Sequence, residues 1–78
     1  MDANEPASAA IRDSVASELD SRATQCYAEA FGMRDRATRA AEQGEQKLAE
    51  LLREAGLACT ARGALFEQLA RSIRMEAR

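Results

Sequence analysis

Residues 37–55 read ATRAAEQGEQKLAELLREA, and within them Ala37, Ala41, Gly44, Leu48, Leu51 and Ala55 recur at steps of 4, 3, 4, 3 and 4, with Leu52 alongside. Steps of three and four keep residues on one face of a helix, and their sum of seven is the repeat of a seam between helices. The stretch predicts an amphipathic helix over about residues 36–55. No large apolar side chain stands between Met33 and Leu48, which leaves room for a second helix to approach Ala37, Ala41 and Gly44 closely. Such a seam is self-complementary, so a homodimer closing as a two-fold bundle is the expected assembly. The other side of the helix carries Asp35 with Arg39, Arg39 with Glu42 and Glu50 with Arg53 at helical spacing. That side is expected to face water.

Outward from this helix, two glycines read as stops. Gly32 followed by Met33, and Gly56 followed by Leu57, both match a helix end in which glycine takes the left-handed conformation and an apolar residue follows. Asp35 and Thr60 are then the caps of the helices that come next, and one helix passing through Gly32 with a kink is the alternative there. This gives helices over about 7–31, 36–55 and 60–77 after a flexible lead over residues 1–6. The expected fold is all-α, a small antiparallel bundle of three helices forming one domain over residues 7–78, completed by self-association or a partner.

Composition supports this class. Half of the residues counted as hydrophobic are Ala, β-branched residues are few and Pro occurs once, so the summed propensity is strongly helical. The chain has 78 residues, and below about 80 residues one core rarely supplies more than ~3–5 kcal/mol. No stretch has the length and apolarity of a membrane span, and the first residues lack the basic and apolar regions of a secretory signal, so a cytoplasmic protein is expected.

Candidate chemistry is sparse. His is absent, the four glycines are isolated, and no Ser or Cys stands in a motif with a base. No enzyme, cofactor or metal is expected. Cys59 lies just before the expected cap at Thr60, with Arg62 three residues on, a setting that lowers a thiol pKa. Small apolar packing is the plainer role for it and for Cys26. A hairpin turning near Gly32 places the two thiols about 20 Å apart, too far for an intramolecular bridge.

Two surfaces remain as candidates for binding. Ile11, Val15, Leu19 and Cys26 share one stripe of the first helix, interrupted by Arg22, which must reach a carboxylate such as Glu18 or Glu29 or extend its head out to water. Tyr27 and Phe31 lie roughly 100° away, a second apolar surface that suits a protein partner. Tyr27, Phe31, Ala37, Ala41 and Gly44 are therefore the expected partner interface. Charge runs from −4 over residues 1–33 to +2 over residues 59–78, and Arg71, Arg74 and Arg78 are possible phosphate contacts. A net charge of −2 and 4% aromatic residues weigh against nucleic acid. The expected function is that of a protein-interaction module, an adaptor, chaperone or inhibitor of a larger assembly. Weak nucleic-acid binding by the C-terminal helix is the alternative.

Overall fold

The computed structural model describes residues 5–76, with side chains from Ser8 onward. Arg78 and the first four residues of the expected lead lie outside the described residues. Two helices account for the fold, α1 (Glu5–Glu42) and α2 (Gln46–Glu76), of 38 and 31 residues. The all-α expectation holds, and the three-helix bundle does not. The helices run antiparallel as one long hairpin, and the molecule is a rod of 65 × 13 × 11 Å.

The correction turns on which glycine breaks the chain. Gly32 lies inside α1 and Gly56 inside α2, while the turn falls at Gly44, whose φ is 80°. Gly44 is the left-handed residue of a helix end in which its own N–H donates to the Ala41 carbonyl at 3.0 Å and the Glu45 N–H donates to the Ala40 carbonyl at 2.8 Å. The Glu45 carbonyl then accepts the Ala49 N–H at 2.9 Å and opens α2. A glycine inside a helix costs only about 0.5–1 kcal/mol against alanine. That cost at Gly32 and Gly56 is outweighed by the pairing that a longer helix makes. The two expected caps are inside helices: Asp35 pairs with Arg39 at 3.2 Å, and the Thr60 hydroxyl donates to the Gly56 carbonyl at 3.1 Å.

The pairing has a strict sevenfold period on both sides. Ala16, Ala23, Ala30 and Ala37 are buried in α1, and Ala49, Gly56, Gly63 and Ala70 are buried in α2. Seven-residue spacing keeps these small residues facing the partner helix through a gentle left-handed supercoil. Side chains this small allow the axes to come within about 8 Å, the lower limit for packed helices. A Cβ built on Gly63 would stand 2.8 Å from Tyr27 Cε1, and one on Gly56 would stand 3.4 Å from the Ala30 carbonyl oxygen. These glycines serve close approach. The seam read from Ala37 to Ala55 does not hold, because the turn at Gly44 divides it. Ala37 belongs to the α1 seam, while Leu48 and Leu51 lie on the outside of α2, about half exposed.

The same change of turn alters the relation of the cysteines. Cys26 precedes Gln43 by 17 residues and Cys59 follows Glu45 by 14, heights of roughly 26 and 21 Å along the two helices. The expected 20 Å separation therefore does not follow. Both thiols are free, Cys26 buried and Cys59 half-buried.

Candidate interaction surface

Antiparallel helices set equivalent heptad positions on the same side of the pair, so the hairpin has two distinct long flanks. One is defined by residues four after each seam position. There the Tyr27 hydroxyl donates to Glu67 Oε1 at 2.6 Å, and Arg74 pairs with Asp20 at 2.7 Å. Thr60 and Ala41 continue this row, both half-buried. The hydrogen bond to the Glu67 carboxylate, then partial desolvation, then the charges of Glu67 and Cys26 hold the Tyr27 phenol above its ordinary pKa. This flank is polar and internally paired.

The other flank is defined by residues three after each seam position. In α2 these are Leu52, Cys59, Phe66 and Ile73, all half-buried. Beyond them, further from the seam, stand Leu48, Leu51, Leu65 and Leu69, between 43% and 51% exposed. The corresponding row of α1 is Leu19, Cys26, Met33 and Ala40, half-buried or buried. Outside it α1 carries the exposed Ile11 and Val15 and then turns charged, with Arg22 paired to Glu18 at 3.5 Å on the surface. The result is a ribbon of leucines along α2 beside a margin on α1 that is charged from Glu18 onward. No large side chain is fully buried among the described residues, so the hairpin leaves most of its large apolar inventory on its surface.

The residues singled out from sequence do not converge. Ala37 is buried in the seam and Ala41 half-buried at its end, Gly44 is in the turn, and Tyr27 lies half-buried over Gly63. Phe31 is 73% exposed on the polar flank, with Leu57 of α2 70% exposed on that same side. Arg74 is held by Asp20, and Arg71 borders the same shallow depression with Glu67 and Met75. The leucine ribbon was missed. Its signal is the continuation of Leu48, Leu51 and Leu52 into Leu65, Phe66, Leu69 and Ile73, visible only once Gly56 is read through.

Among the described residues no three metal-ligating side chains converge, and no helix is long and apolar enough to cross a membrane. No protein-family model, no curated protein and no solved structure matches this chain.

Proposed function

We propose that this protein is a non-enzymatic interaction module that docks the apolar flank of α2 against another protein surface. The observation that carries the reading is the exposure of Leu48, Leu51, Leu65 and Leu69 along one flank of a rod whose own seam is made of Ala and Gly. Contiguous apolar surface rimmed by charge is the ordinary signature of a docking face. Roles as an adaptor, chaperone or inhibitor all fit this mode, and the two free thiols suit a reducing cytoplasm. The nucleic-acid alternative is weakened because Arg74 is already spent on Asp20, and Glu67 stands beside Arg71.

A photo-reactive residue placed at Leu51 or Leu69, compared with one at Gln68 on the polar side, tests the reading in the native host. Protein crosslinks concentrated at 51 and 69 are expected. Equal crosslinking at Gln68, or none at any position, contradicts it. A DNA titration that shows binding falling steeply with salt would favour the alternative.

A further inference from the structure

We propose that the occupant of the leucine ribbon is a second copy of this chain, with α2 lying antiparallel on the second copy's α2 about a two-fold axis that crosses near residues 60 and 61. The inference rests on the reading of this flank as a docking face and adds what docks there.

The first support is the order of side chains along α2. An isologous contact requires that when residue i meets j, residue j also meets i. In an antiparallel pair this means that contacting residue numbers share a constant sum. A sum of 121 places Leu48 against Ile73, Leu52 against Leu69 and Ala55 against Phe66 of the second copy. Large faces large where both are aliphatic, and the one aromatic faces an alanine. Leu51 and Leu65 fall level with the seam residues Ala70 and Gly56 and stay at the margin of the contact.

The second support is charge. Arg62 is the one cation that interrupts the ribbon between Leu48 and Ile73, and it stands close to the middle. Within a hairpin, residues at one height have numbers adding to about 90: the turn is centred on Gly44, Gly56 meets Met33 and Gly63 meets Tyr27. Glu29 and Arg62 add to 91, so Glu29 stands across from Arg62 on the charged margin of α1. Neither makes an ion pair among the described residues. The two-fold axis gathers two Arg62 and two Glu29 into a neutral quartet. The same axis crosses α1 near residues 28 and 29, and there it sets Glu18 opposite Arg39 of the second copy.

The third support is area. Two helices side by side over the length of α2 present a face roughly 46 Å long and 13 Å across, on the order of 600 Å² per copy, the lower end of the range for stable interfaces. A standard stable interface takes about 800 Å² per partner.

Light scattering on the full chain at micromolar to submillimolar concentration is expected to give about 17 kDa, twice the 8.5 kDa of one chain. The specific arrangement is tested by charge exchange. Arg62→Glu puts four acids at the axis and should weaken the dimer at least tenfold, whereas Arg62→Glu with Glu29→Arg restores the quartet and the affinity. As a measurement on the native side chain, a short bis-maleimide should couple Cys59 to Cys59 in a Cys26→Ser chain, since these residues lie about 4.5 Å apart in height at the axis. It should not couple a lone Cys placed at Gln68. A chain of 8.5 kDa mass throughout, or unchanged affinity in Arg62→Glu, overturns the proposal. Monomer mass together with crosslinks from Leu51 to a different protein overturns the second copy alone. Monomer mass with no crosslinks overturns the docking face as well.

Discussion

Tyr27 occupies the space that a side chain at Gly63 would need: a Cβ there would lie 2.8 Å from Cε1 and 3.0 Å from Cζ of the ring. The ring can lie across α2, and its hydroxyl can reach Glu67 at 2.6 Å, only because position 63 is bare. Gly63→Ala gains up to about 1 kcal/mol of helix propensity but must displace the ring and break its hydrogen bond. The two nearly cancel, so we expect Gly63→Ala to be neutral or to lose up to about 1 kcal/mol in urea denaturation. In a Tyr27→Ala background it should stabilise, because only the propensity gain is left. Additive effects of the two substitutions would contradict this relation.

The turn gives a second contrast between glycines. Gly44 needs its φ of 80° although nothing lies within 4 Å of an added Cβ, whereas Gly32 has the same open space and ordinary helical φ. Gly44→Ala should cost about 1–2 kcal/mol of stability, while Gly32→Ala should raise it by about 0.5–1 kcal/mol. A stabilised Gly44→Ala would mean that the hairpin turns elsewhere.

How far this could be read in advance depended on what kind of signal each residue carries. Helicity was legible because alanine, leucine, glutamate and arginine all favour it and nothing opposes them. The helix ends were not, since Gly32, Gly44 and Gly56 look alike in sequence. A glycine that ends a helix differs from one that admits a neighbour only through what lies opposite. The seam itself was written as Ala16, Ala23, Ala30 and Ala37 against Ala49, Gly56, Gly63 and Ala70, but methyl groups and hydrogens give little hydrophobic contrast. Larger residues drew attention instead. Leu48 and Leu51 were placed correctly on a common face, yet that face is outside the hairpin. Arg22 was legible as a surface cation beside a carboxylate, and the structure selects Glu18, at i,i+4 spacing, from the partners the sequence allowed.

The seam should tolerate no added bulk. Ala23 is 2% exposed between the helices, and Leu matches Ala closely in helix propensity. Ala23→Leu should therefore lose about 1–3 kcal/mol through overpacking alone. Denaturation at fixed protein concentration reads the effect, and an unchanged midpoint would contradict the close approach of the helices.

Tyr27 gives the hairpin a dependence on high pH. Its phenol titrates above the ordinary value of 10.0 because the neutral form donates to Glu67, so the folded state holds that proton more firmly than the unfolded chain. The stabilisation is fully present below pH 10 and is lost as pH rises through the folded pKa. The stability difference between the natural chain and Tyr27→Phe should be constant near neutral pH and close in strong alkali. A difference that persists there would mean that the hydroxyl does not act through this bond.

Electron–electron distance measurement between spin labels at Gln43 and Ser72, in a chain with both natural cysteines replaced by Ser, tests the hairpin and its pairing together. Ser72 lies 27 residues beyond the turn at Glu45, so one chain should give roughly 40 Å between the labels. In the antiparallel dimer, position 43 of one copy approaches position 72 of the other, adding a second distance below about 25 Å. Dilution with unlabelled chain should remove the short distance and keep the long one. A short distance that survives dilution, with no long one, would contradict two long helices and the leucine ribbon that they expose.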